Sequence, residues 1–145
     1  MQASSQQDEN VARVRAAIDA YNRGDLEYVL EALDPEVEVY AAPGLVNSGT
    51  YRGIEGFKRW MSQWVEAWKS FRIDVLKIEP TGDHHVLAEV TQRAQGAGSG
   101  VEVEMRVAYV FELRGDRTTR FHIFRDWADA RDEVERLRRE LERDS

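Results

Sequence analysis

From Val101 to Leu113 every second residue is apolar. Val101, Val103, Met105, Val107, Tyr109, Phe111 and Leu113 point one way, and Glu102, Glu104 and Arg106 point the other. A strand with one long dry face needs a sheet to sit in and a layer to cover that face. The surrounding sequence supplies the sheet. Ile73 to Ile78 reads as a strand, and Gly82-Asp83 as a turn. Val86, Ala88, Val90, Gln92 and Ala94 then alternate with Leu87, Glu89, Thr91 and Arg93. The glycine-rich Gln95 to Gly100 links to the long strand, and Arg114-Gly115-Asp116 turns into a last strand, Thr118 to about Trp127. Both faces of this last strand are partly apolar, with Phe121, Ile123 and Trp127 on one and His122 and Phe124 on the other. Such a strand is flanked by structure on both sides.

Helical spacing precedes the strands. Val11, Val14, Ile18 and Tyr21 recur at steps of three and four. Gly24 reads as the stop of that helix and Asp25 as the cap of a shorter one bearing Leu26, Val29, Leu30 and Leu33, which Asp34-Pro35 ends. Val37 to Tyr40 is a short strand, and Ala41 to Gly53 a loop or irregular hairpin long enough to rim a site. A third helix, about Ile54 to Lys69, carries Phe57, Trp60, Met61, Trp64 and Trp68 on one side. Asp129 to Ser145 reads as a charged helix with Val134, Leu137 and Leu141 in line, packing on a partner or projecting freely. Helices followed by an antiparallel meander indicate an α+β class. The expected organisation is a disordered tail over 1–8, one domain over 9–130 and the charged helix over 131–145.

Composition narrows the function classes. The 145 residues fit one domain, and with no cysteine there is no disulfide, thiolate metal site or cysteine nucleophile. A formal charge of −7 without a basic stripe argues against a nucleic-acid partner, and no apolar run of membrane-spanning length occurs. The polar, acidic Met1 to Asn10 is no secretory signal, so cytoplasmic residence is expected. The adjacent His84 and His85 face opposite ways on a strand, so no metal site is expected, and "GAGSG" precedes no helix and is no phosphate loop.

Four strings, "AYNRGDLEYVLEALDPEVEVY", "GTYRGIEGFKRWMSQW", "GAGSGVEVEMRVAYVFELRGDRTTR" and "FHIFRDW", together with the element order, resemble the SnoaL-like polyketide cyclase branch of the nuclear transport factor 2-like superfamily over roughly residues 10–130. The resemblance implies a cone-shaped α+β barrel. Three N-terminal helices pack in a curved antiparallel sheet, followed by a C-terminal helix. A pocket opens at one end, and the outer sheet face forms a homodimer. Fold alone does not decide activity in this superfamily.

The resemblance also directs attention to Asp126, which matches the general base of SnoaL-like cyclases near the end of the last strand; the alternative role at this strand-to-helix junction is to cap the C-terminal helix or pair with an arginine. The resemblance turns the face carrying His122, Phe124 and Asp126 into the pocket, where burial suits proton abstraction and His122 is either an acid–base partner or a hydrogen-bonded histidine. Tyr21, Tyr40, Trp60, Trp64, Gln92, Tyr109 and Phe124 are the expected contacts to a small apolar molecule, with no metal or organic cofactor. "FRDWAD" also resembles the ending of limonene epoxide hydrolases, but the second carboxylate is missing, because Val90 and Gln92 face inward. Ketosteroid isomerase chemistry lacks its carboxylates at Tyr40-Ala41-Ala42-Pro43 and within Val101 to Leu113. Three readings follow: a cyclase or isomerase using Asp126 on a ring-containing substrate, a non-catalytic ligand-binding or dimerisation module, and an epoxide hydrolase variant with an incomplete site.

Overall fold

The structure is a computed structural model. It describes residues 2–45, 48–96, 98 and 100–144, with only the backbone described for 2–5, 63–70 and 144. The elements are α1 (Gln2–Arg23), α2 (Leu26–Glu31), β1 (Leu33–Ala41), β2 (Gly49–Arg52), α3 (Gly53–Ala67), β3 (Trp68–Thr81), β4 (His85–Gly96), β5 (Glu102–Arg114), β6 (Arg117–Phe124) and α4 (Trp127–Asp144). They form the expected α+β fold: a six-stranded sheet in the order β2-β1-β6-β5-β4-β3, with α1, α2 and α3 on its inner face. The sheet is mixed rather than wholly antiparallel. β1 comes from the helices and runs parallel to β6, so the first and last strands of the chain meet in mid-sheet.

The alternation in β5 sets the inner face. Tyr109 pairs with Ala88 on one side and Ile123 on the other, and Phe111 pairs with Val86 and Phe121. These inner residues meet Val14 and Ile18 of α1 and Phe57, Trp60 and Met61 of α3 in one core. The turn between α1 and α2 follows the sequence signals. Gly24 takes φ +79°, and the Asp25 side chain accepts from Tyr28 N. Gly24→Ala is therefore expected to cost about 1–2 kcal/mol, read as a lowered urea midpoint, because an L side chain is disfavoured at that φ.

Four sequence expectations are corrected. Residues 2–8, expected as part of a tail, belong to α1, which begins at Gln2, and Gln7 and Asn10 donate to the carbonyls of Gly82 and Asp83. Leu33 is not helical. α2 caps at Ala32 ahead of Pro35, and Leu33 opens β1 opposite Thr118. Trp68 lies in β3 rather than in α3. The C-terminal helix neither projects nor awaits a partner. Ala130, Val134 and Leu137 pack on Leu87, Ala108 and Val110, flanked by Phe124 and Trp127, and cover much of the outer face that was expected to meet a second copy. Lys77 Nζ sits 4.2 Å from the Trp127 ring and pins the start of α4 to β3. Among the described residues, no helix is long and apolar enough to cross a membrane.

Candidate functional site

Between α1, α3 and the inner face lies an apolar cavity of about 80 Å³. Its wall includes Tyr21, Phe57, Trp60, Phe71, Gln92, Tyr109 and Phe121. A second cavity of about 70 Å³ is closed by the segment after β1, at Ala41, Gly44 and Leu45, with Met105, Val107 and Ile123 behind it. Trp60 and Gln92 line both. Alternation explains who faces inward. Gln92, Val107, Tyr109 and Phe111 have the inner parity of β4 and β5, and Tyr21 ends the apolar stripe of α1.

The aromatic wall is held edge to face. Phe121 lies 4.9 Å from Tyr109 and 5.8 Å from Trp60 between ring centroids, and Tyr21 lies 5.5 Å from Phe71. Gln92 Nε2 donates to the Tyr109 hydroxyl at 2.6 Å. Among the described residues, Trp60 Nε1 is the only buried side-chain nitrogen or oxygen without a hydrogen-bond partner, with Trp60 itself 7% exposed. Burial pushes the Tyr21 phenol up to about 12. Burial also raises Tyr109, against a smaller opposing effect of Gln92 and with a further push from Tyr21. Both phenols therefore stay neutral near pH 7. They can hydrogen-bond but do not ionise as bases.

Of the residues singled out in the sequence, Tyr21, Trp60, Gln92 and Tyr109 stand on the cavity wall. The Trp64 side chain lies outside the described residues. His122, Phe124, Tyr40 and Asp126 are elsewhere, which corrects the inward face that the family resemblance implied for the last strand. Phe121 and Ile123 face inward, so His122 and Phe124 face outward under α4. Asp126 lies beyond the end of β6 at Phe124, where strand alternation no longer applies. Its Oδ1 accepts from Asp129 N at 2.9 Å and caps α4. Tyr40 and Phe124 border an outer cleft of about 370 Å³ beside Asp129, Asp132 and Arg136. Phe57, Phe71 and Phe121 were missed as wall residues, although Phe121 carried a signal in its pairing parity with Phe111.

The outer face instead holds a buried ionic network. His122, 2% exposed, has Nδ1 at 2.7 Å from Glu133 Oε2 and Nε2 at 2.8 Å from Glu38 Oε2. Glu112 meets His85 Nε2 at 3.1 Å and accepts from the Thr119 hydroxyl at 2.8 Å, with Arg120 at 3.6 Å. Arg120 also reaches Glu140 at 3.2 Å, and Arg136 binds Glu133 and Glu140. Burial pushes the Glu112 carboxyl up, but His85, Thr119 and Arg120 outweigh it and hold the group at about 2. Burial likewise raises Glu133, and His122 and Arg136 bring it down to about 2. These side chains tie α4 to β1, β5 and β6 and are spent on one another. Among the described residues, no group of three His, Asp or Glu is arranged to hold a metal ion.

A family model described as a SnoaL-like domain matches residues 14–121. A search of the curated proteins returns no match. Among solved structures, a protein of unknown function with the nuclear transport factor 2-like fold from Burkholderia pseudomallei is 22% identical, with a TM-score of 0.72 over 83% of this chain and 92% of that one. TerC, co-crystallised with polyporic acid, is 19% identical, with a TM-score of 0.71 over 87% and 98%. A Jannaschia protein named as a candidate SnoaL-like polyketide cyclase is 17% identical, with a TM-score of 0.70 over 81% and 85%. At these identities the structural likenesses speak for the fold, while the family match spans most of the domain. The chain belongs to the SnoaL-like domain family, within the nuclear transport factor 2-like fold.

Proposed function

We propose that this chain is a small-molecule binding protein that holds a compact, apolar, uncharged ring compound inside the sheet. One observation carries the reading. The cavity wall is aromatic and aliphatic, its polar members are neutral, and among the described residues no carboxylate, histidine, lysine or arginine lines it. A charged ligand would lose its hydration there without compensation. The co-crystallisation of TerC with polyporic acid supports a small-molecule occupant for a fold of this kind. A cyclase or isomerase with Asp126 as general base fits less well. A base must come within hydrogen-bond reach of the proton it takes, and Asp126 is engaged at the N-terminus of α4. The epoxide hydrolase variant fails on the same ground, since among the described residues no carboxylate reaches the wall.

The test is a thermal-shift and calorimetric screen of small uncharged ring compounds on wild type and Asp126→Asn. A ligand at about 100 times its Kd should stabilise either protein by about 2.7 kcal/mol. Asn caps a helix as well as Asp does, so affinity should agree between the two within about twofold. A turnover that disappears in Asp126→Asn would sink the binding reading and restore the enzyme.

In this reading the protein is cytoplasmic and works as a homodimer. A second copy meets the sheet where α4 leaves it open, near Leu76, which is 48% exposed in a β3 bulge. Leu76→Lys is expected to shift the sedimentation coefficient to that of a monomer while leaving the thermal midpoint at high dilution unchanged. A wild type that sediments as a monomer removes the dimer from the proposal.

A further inference from the structure

Trp60 joins the two cavities and carries an unpaired donor. Buried side-chain donors almost always have partners. An indole N–H can only donate, so only an acceptor can complete it. The Gln92 amide nitrogen is itself a donor, to the Tyr109 hydroxyl at 2.6 Å, and cannot accept from the indole. The complement of Trp60 Nε1 is therefore expected on the occupant of the cavity.

Size points the same way. An apolar cavity of about 150 Å³ is known to take up benzene. The two lobes here measure about 80 Å³ and 70 Å³, each small for a ring, and both share Trp60 and Gln92 as walls. Together they have the volume of one ring system, and Trp60, whose indole N–H is unpartnered, lines both.

We infer that the ligand is an uncharged ring compound bearing a hydrogen-bond acceptor, a carbonyl or ether-type oxygen, and that it docks this oxygen on the Trp60 indole N–H while its ring spans both lobes. The inference rests on the reading of the cavity as a ligand site. It excludes pure hydrocarbons as preferred ligands, although their lower hydration favours them in an apolar pocket. It also excludes carboxylates, because among the described residues no cationic side chain lines the wall.

The experiment compares 1-indanone with indane, which share a skeleton and differ in the carbonyl, by calorimetry on wild type and Trp60→Phe. The wild type should prefer the ketone by about tenfold or more, equivalent to about 1.4 kcal/mol. In Trp60→Phe, which keeps a ring and loses the N–H, the preference should vanish or reverse. A direct readout serves if that variant does not fold. The carbonyl stretch of bound 1-indanone in the wild type should fall in frequency, and one indole N–H resonance should move as the ketone is added. Equal binding of both compounds, or a preference for indane, overturns the inference and leaves the cavity reading intact. A ketone preference that survives in Trp60→Phe, or an unmoved carbonyl stretch, overturns the assignment to Trp60. If neither compound binds the folded protein, the cavity reading falls with it.

Discussion

Replacing Glu112 with alanine is expected to destabilise the protein by about 3–5 kcal/mol, the range for removing one partner of a buried ion pair. Glu112 is 3% exposed, between β4 and β6 on the outer face. Its carboxylate meets three donors, from His85, Thr119 and Arg120. Alanine would leave all of them facing a void under α4, where water cannot replace what is lost. Arg120 would keep Glu140 and Glu38, so its side chain should survive in place, and the loss should fall mainly on His85 and Thr119. Urea unfolding at neutral pH, followed by far-UV circular dichroism, gives the number. A loss under about 1 kcal/mol would mean that the carboxylate is hydrated and that the network contributes little. Glu112→Leu combined with His85→Phe is the informative control. A buried pair replaced by packed apolar groups is often tolerated, so the double variant should recover much of the stability that Glu112→Ala loses.

The extent to which this chain could be read in advance divides along the two faces of its sheet. The inner face was legible because it is dry on one side only. Val101 to Val107 alternate with Glu102, Glu104 and Arg106, which set the parity of β5 before its outer face turns apolar at Ala108 and Val110, and pairing carried it to Gln92 in β4. Tyr21 and Tyr109 reached the cavity for that reason, and Trp60 because its helix bears a strong apolar stripe. The outer face was not legible, because its second layer comes from a remote segment. Phe124 and His122 are buried by α4, and a strand covered on both sides shows no contrast from which to choose the inward residue. The parity within the strand was right, but the family resemblance chose the inward face, and it turned His122, Phe124 and, by extrapolation past the end of the strand, Asp126 to the wrong side. The resemblance that located Asp126 was sound for the fold. Of the two roles open to Asp126 from the sequence, base or helix cap, the geometry shows the cap.

The placement of α4 also changes what the outer face can do. The family resemblance reserved that face for a partner. In this chain a helix with a narrow apolar stripe takes the position, and the stripe is short, at Ala130, Val134 and Leu137. The ionic network therefore matters more than it would beneath a wide apolar interface. It supplies specificity through paired charges, at the cost of making the docking dependent on which of those groups are ionised.

Acid should accordingly release α4 first. Glu112 and Glu133 are both held at about 2 in the folded protein against 4.5 for the free side chain. A carboxyl depressed on folding binds its proton more weakly in the native state, so its contribution is fully present above about pH 4.5 and is lost as pH falls through about 2. At 1.36 kcal/mol per unit, each group is expected to contribute of the order of 3 kcal/mol across that window. Arg120 and Arg136 both contact Glu140 of α4 and so share in the network that Glu112 and Glu133 anchor. Urea midpoints measured at pH 7, 4.5, 3 and 2 should be level down to about 4.5 and fall steeply below it. Hydrogen exchange in α4 should accelerate before exchange in β4 and β5, whose inner-face packing involves no titrating carboxylate. Glu112→Gln should start less stable at pH 7 and lose less on acidification, with a shallower slope between pH 4.5 and 2. A wild-type stability that stays flat to pH 2, or exchange that rises uniformly across the chain, would show that the two carboxylates are not held down and that packing of Val134 and Leu137 alone keeps α4 in place.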